Sequence, residues 1–112
     1  MVSIPICTVV IKNNTNIDLY KLTFVWLAKT NFPVNIKKIK KGDFKRVGMP
    51  NILEGLAPLK MYYTDESNYR NEYTILEELQ GRSTRLICID IIGLDESGGL
   101  NFEVDPKYDS HF

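Results

Sequence analysis

Apolar residues recur at every second position along most of this chain, in short runs separated by clusters of Asn, Asp, Ser, Gly and Pro. Such alternation is the mark of a half-buried strand, because successive side chains of an extended backbone point to opposite faces. The densest apolar run lies in Thr84 to Asp105, TRLICIDIIGLDESGGLNFEVD. Ile87, Ile89 and Ile91 fall on one face, and Leu86, Cys88 and Ile92 on the other, with Asp90 among them. A strand apolar on both faces is expected at the centre of a sheet and covered on both sides. Asp95-Glu96-Ser97-Gly98-Gly99 supplies a turn, its glycine pair free to take positive φ. The return strand alternates, with Leu100, Phe102 and Val104 inward and Asn101, Glu103 and Asp105 outward. Asp90 is expected either at a sheet opening or buried and paired.

The remaining chain follows the same rule. Cys7 to Lys12 predicts a strand with Cys7, Val9 and Ile11 on one face, and Asn13-Asn14-Thr15-Asn16 a polar turn. Ile17 to Ala28 predicts a long strand with Tyr20, Leu22, Phe24, Trp26 and Ala28 on one face and Trp26 as a core centre. Pro33 falls in a connection. In Val34 to Lys41 the step from Ile36 to Ile39 breaks alternation, which predicts a bulge or an edge strand, and lysine-rich edges discourage edge-to-edge pairing. Gly42-Asp43 is a turn, Phe44 to Met49 a short strand, and Pro50 to Pro58 a crossing loop. Leu59 to Thr64 and Tyr69 to Leu76 form a hairpin about Asp65-Glu66-Ser67-Asn68. Thr74 to Gly81 also fits two helical turns closed by Gly81. Together these elements predict an antiparallel β-sandwich of seven or eight strands with little helix. The expected topology is immunoglobulin-like or a similar Greek key, in one domain spanning 1–112 with a polar tail from 105.

Length and charge refine this. At 112 residues the chain can build one core and not two. Net charge is zero, so no global field points to nucleic acid or an acidic membrane. The charge is uneven, however: residues 1–56 carry nine Lys/Arg against three Asp/Glu, and 57–112 carry five against eleven. Either the halves interleave and balance internally, or they make two oppositely charged surfaces that favour self-association. Cys7 and Cys88 both sit in strand patterns and read as buried free thiols, although neighbouring strands leave a disulfide open. The first residues, MVSIPICTVVIKNN, lack a basic region and a small-residue cleavage motif, and no apolar run is long enough for a membrane span. A cytoplasmic protein without a transmembrane segment is expected. Asn13-Asn14-Thr15 matches a glycosylation sequon and reads as a turn.

Candidate chemistry is sparse. The single histidine, His111, lies one residue from the last, a poor place for an oriented base. No HExxH, CxxC, GxSxG, P-loop or GxGxxG pattern is present. The expectation is therefore a protein that is not an enzyme and needs no cofactor, although a glycosidase-like carboxylate pair need not be local in sequence. Two turns share Asp-Glu-Ser, and their carboxylates (Asp65, Glu66, Asp95, Glu96) are a weak calcium candidate, set against the plain fact that turns are made of such residues. Lys37, Lys38, Lys40, Lys41, Lys45 and Arg46 form a basic run with only Phe44 inside it, so nucleic acid is not an expected partner. Tyr62, Tyr63, Tyr69 and Tyr73 cluster around one hairpin, as a ligand or partner surface or as cross-strand packing.

The opening of the chain, on the residues Val9–Thr15, Tyr20–Trp26 and Gly42, resembles the start of small β-sandwich lipid-binding proteins such as the aegerolysins. No functional residue carries over from that resemblance. The Lys-, Asn- and Ile-rich composition is similar to that of bacterial proteins from AT-rich genomes. The functional expectation is a small non-catalytic binding or interaction module, with a protein partner or self-association. The alternative is a membrane- or glycan-binding toxin-like sandwich, with exposed aromatics at one end, and a hydrolase stands third.

Overall fold

A computed structural model describes residues 6–27, 33–50, 55–81 and 85–109. Ala28, Thr84, His111 and the middle of the expected 50–58 crossing lie outside the described residues. Eight strands follow one another: β1 (Ile6–Asn13), β2 (Leu19–Trp26), β3 (Val34–Ile39), β4 (Phe44–Pro50), β5 (Leu56–Thr64), β6 (Arg70–Gln80), β7 (Arg85–Leu94) and β8 (Leu100–Asp109). They form two four-stranded sheets, in the orders β4-β1-β7-β8 (sheet A) and β3-β2-β5-β6 (sheet B). All pairs are antiparallel except β1 with β7. The fold is an all-β sandwich. Its strand order differs from an immunoglobulin constant domain, where the first two strands share a sheet; here β1 and β2 lie in different sheets, and β4 returns beside β1.

The alternating patterns place the core between the sheets. Cys7, Val9 and Ile11 of β1 and Ile87, Ile89 and Ile91 of β7 are buried from one side. Leu22, Phe24 and Trp26 of β2 and Ala57, Leu59, Met61 and Tyr63 of β5 are buried from the other. The Trp26 indole N–H donates to the carbonyls of Ala57 at 3.1 Å and Leu79 at 3.0 Å, so the largest core residue leaves no buried donor unmet. On one side of the sandwich β3 meets β4. On the other, Tyr73 of β6 stands edge-on to Phe102 of β8, with ring centroids 5.1 Å apart.

Several expectations change. Residues 56–58, expected in a crossing loop, open β5, and residues 105–109, expected as a polar tail, belong to β8. Tyr20 is 49% exposed while Leu19 is fully buried, because Lys21 adopts φ 57° and shifts the phase of β2. Leu19 and Leu22 are three apart, and they pair with Ile39 and Ile36, which are also three apart. The two neighbours break alternation together and keep register, so the irregular step in β3 is shared by both strands; β3 is an edge. The Thr74–Gly81 segment is strand, not helix: β6 runs to Gln80, with Ile75 and Leu79 buried. Residues four apart satisfy both periods, and pairing with β5 decides. Finally, β7 is central, but the described residues cover it on one side only. Its outward residues Leu86, Cys88 and Asp90 are half-buried and Ile92 is 49% exposed.

The two cysteines sit on adjacent strands with opposite orientations, Cys7 in the core and Cys88 on the outer face, and both are free thiols. Asp90 also faces outward and accepts a hydrogen bond from the Asn14 side-chain amide. Among the described residues no helix is long and apolar enough to cross a membrane.

Candidate functional site at the turn end

β1, β3, β5 and β7 all run toward the same end of the sandwich, so the four turns that follow them open side by side. Asn13 ties the first two together. It is fully buried, and its amide donates to the carbonyls of Ile17 at 2.8 Å and Ile39 at 2.9 Å. Its side-chain oxygen accepts from the Thr15 amide and hydroxyl. Gly42 N–H closes onto the Asn13 carbonyl at 2.7 Å. The sequon asparagine is thus a structural staple, with both amide protons used inside the fold.

The two Asp-Glu-Ser turns are built alike. In each, the Asp carbonyl accepts from the residue three on, and its N–H donates to the carbonyl four on. The fourth residue takes positive φ, 62° at Asn68 and 90° at Gly98. This is the three-residue hairpin loop with a left-handed closing residue. In each, Oδ1 of the Asp accepts from the Ser N–H at 2.9 Å and from the N–H four residues on, Tyr69 at 3.0 Å and Gly99 at 2.8 Å. The Ser97 hydroxyl also donates to Asp95, and with these N–H groups it holds that carboxyl below the ordinary aspartate range. Of the glycine pair only Gly98 has positive φ. Gly99 packs tightly, since a Cβ there would lie 2.7 Å from Asp95 Oδ2 and 2.9 Å from Tyr73 Oη and both side-chain ends would have to move.

The two turns also come close, although their hairpins belong to different sheets. A Cβ on Gly98 would sit 3.7 Å from Asp65 Oδ2. The Tyr73 hydroxyl accepts from Leu100 N–H at 2.7 Å and links the hairpins. The four acidic turn residues therefore share one end, but Asp65 and Asp95 each commit Oδ1 to local N–H groups, and Asp65 Oδ2 accepts from the Asn71 side-chain amide. Among the described residues no three His, Cys, Asp or Glu side chains group as a metal site needs.

The tyrosine hairpin divides by role. Tyr63 is 5% exposed and belongs to the core, and burial raises its pKa. Tyr73 is fixed between Phe102 and Leu100. Tyr62 lies on the outer face of sheet B with the Arg70 guanidinium 4.1 Å above its ring. Tyr69, at the turn, is 66% exposed. The sequence pattern did not single out Tyr20, which the Lys21 phase shift turns outward beside this end.

Between the β1–β2 and β5–β6 turns lies an open cleft of about 580 Å³. Tyr20 and Tyr63 give it aromatic walls; Asn16, Asp18, Lys21, Lys41, Asp65, Glu66 and Asn68 give it polar ones. Lys21 and Asn68 are also the two non-glycine residues with positive φ among those described. Asn68 is at home there, because its turn requires that conformation. Lys21 is not, and a left-handed lysine costs on the order of 1 kcal/mol. Asp18 is held in place by the Lys41 N–H at 2.9 Å and by Lys38 at 3.5 Å; the N–H bond is the larger cause of its lowered pKa. The cleft offers donors, acceptors and ring faces in mixed charge.

No family model matches this sequence, and no curated protein is similar enough to report. Among solved structures, one described as the NMR structure of the protein from Eubacterium rectale superposes with a TM-score of 0.57 at 16% identity. The match covers 91% of this chain and 90% of that one. That likeness shows a shared fold with a protein from a bacterium, and nothing about a ligand.

Proposed function

We propose that this domain is a non-catalytic binding module whose ligand site is the cleft at the turn end, and that the ligand is a neutral, hydroxyl-rich molecule such as a glycan. The observation that carries the reading is the coincidence of that cleft with Lys21, a strained residue with no turn to explain it. Strain of this kind persists where the surrounding structure imposes it, and it clusters at ligand sites. Exposed aromatics point the same way. Tyr20 and Tyr69 stand out from this end. Ring faces stack on sugar rings, while interspersed carboxylates, amides and ammonium groups bond hydroxyls of either polarity. The carboxylates of Asp65, Glu66, Asp95 and Glu96 disfavour an anionic membrane at the same place.

The test is a two-dimensional NMR titration of the labelled chain with a panel of neutral oligosaccharides at about 10 mM, a range suited to weak module–sugar affinities. Shifts confined to Lys21, Asp65–Tyr69 and their neighbours are expected, with Tyr69→Ala and Tyr20→Ala weakening binding roughly tenfold and Tyr62→Ala leaving it intact. A panel that moves no turn-end resonance would end the glycan reading. Shifts at this end with phosphatidylserine vesicles instead would transfer the site to a membrane surface.

A further inference from the structure

The outer face of sheet A carries a pattern that the turn-end cleft does not explain. Two of the cross-strand rows on it carry charge. In one, Arg46 on β4 is followed by Val10, Cys88 and Asp105; in the next, Phe44 is followed by Lys12, Asp90 and Glu103. The middle of the face is apolar and half-buried at Val10 and Cys88, with Phe44 58% exposed beside it. One flank is cationic and the other anionic. Over β1, β7 and β8 the face is hollow, with a depression of about 330 Å³. Nothing among the described residues covers it, although β7 has the doubly apolar pattern of a strand sandwiched on both sides.

We infer that this face is a self-association surface: two copies pack sheet A on sheet A about a two-fold axis lying in the interface and running along the strands, between β1 and β7. The charge pattern selects the occupant and the axis. A two-fold axis along the strands sets β4 and β1 of one copy over β8 and β7 of the other. Arg46 then faces Asp105 and Lys12 faces Asp90 twice over, and Val10 meets Cys88 at the centre. A two-fold axis across the strands would put β4 on β4 and β8 on β8, like charge on like. A face complementary to its own rotated image is what an isologous dimer requires. Four strands about 4.8 Å apart and eight residues long present roughly 500 Å² per copy. About 1,000 Å² in total is at the lower bound for a specific interface, so a weak and salt-sensitive dimer is expected.

The inference is independent of the glycan reading, and its test reads no ligand. Sedimentation of the full chain at about 100 μM, suited to a weak dimer, is expected to show a dimer at low salt that weakens at least tenfold in about 0.5 M salt, where screening is strong. The double reversals Lys12→Glu/Arg46→Glu and Asp90→Lys/Asp105→Lys should each be monomeric alone. Mixed one to one, they should form a heterodimer by native mass spectrometry. The mixing arm also shows that both reversed chains are folded, and Thr23→Glu on the outer face of sheet B serves as the control. The rate at which Cys88 reacts with a thiol reagent should fall as concentration rises. A monomer at low salt overturns the inference, as does a dimer that survives both reversals or a mixed pair that stays apart.

Discussion

At the scale of single residues the fold separates groups that the sequence leaves alike. Cys7 and Cys88 both occupy strand patterns, but their positions on adjacent parallel strands have opposite parity, so one faces the core and the other the outside. Burial pushes the Cys7 thiol up to about 11, with the Arg85 charge opposing the rise. A native thiol assay is expected to count one fast-reacting group, Cys88, and a denatured one two; equal rates in the native state would contradict the orientation. Asn13 is the second case. The turn was legible as Asn-Asn-Thr, but its burial was not, because it depends on Ile39 arriving from another strand. Asn13→Ala should cost roughly 2 kcal/mol in denaturant unfolding, the scale of buried carbonyls left unmet. Asn13→Asp should cost more, since it turns a carboxylate toward the carbonyls of Ile17 and Ile39. Asp95 sets a pH dependence. Its hydrogen bonds hold the folded pKa below the unfolded one, so its contribution is full above the unfolded value and is lost as pH falls through the folded value. An Asp95→Asn variant should accordingly lose less stability than the parent on acidification below about pH 4, the ordinary aspartate range.

At the scale of elements, strand identity was legible and strand phase was not everywhere. β5 and β7 alternate without interruption, and their buried faces follow directly from the letters. β2 fails at one residue, since φ at Lys21 cannot be read from a lysine. A signal was nevertheless present: Leu19/Leu22 and Ile36/Ile39 repeat the same three-residue step, and matched steps in strands that pair imply a shared shift of phase. β6 was ambiguous for a different reason. Ile75 and Leu79 fit a helical face as well as a pleated one, and only the pairing with β5 distinguishes them. The strained residue gives a sharp expectation. Lys21→Gly should stabilise the fold by about 0.5–1 kcal/mol, raising the melting temperature by a few degrees, because glycine accepts the left-handed conformation without cost. If the turn end is the ligand site, the same change should weaken binding by removing an ammonium group from its rim. A variant that is neither more stable nor weaker in binding would leave Lys21 with the phase shift of β2 alone and remove the strain argument for the ligand site.

At the scale of the molecule, strand order decides what the charge asymmetry means. In both sheets the strands from the first half of the chain lie together and those from the second half lie together: β4-β1 beside β7-β8, and β3-β2 beside β5-β6. β3 and β4 then share one flank, with Lys37, Lys38, Lys45 and Arg46, and β6 and β8 share the other, with Glu72, Glu77, Glu78, Glu103 and Asp105. The halves do not interleave. Among the described residues the ion pairs Lys38–Asp18 and Lys60–Glu72 each join residues of one half, so they leave the asymmetry standing. The sequence held both readings open because contiguity along the chain says nothing about adjacency in a sheet. The cross-section is some 25 by 22 Å, more than twice the screening length of about 10 Å at 0.1 M salt, so the flanks act as separate fields there. A protein of zero formal charge should therefore bind both a cation exchanger and an anion exchanger at pH 7 and low salt, eluting from each at moderate ionic strength. The dimer inferred above keeps this property, since the lysines of β3 and the glutamates of β6 belong to sheet B and stay outside its interface. Passage through both columns without retention would mean that the flanks neutralise each other, and the electrostatic argument for self-association would fall with them.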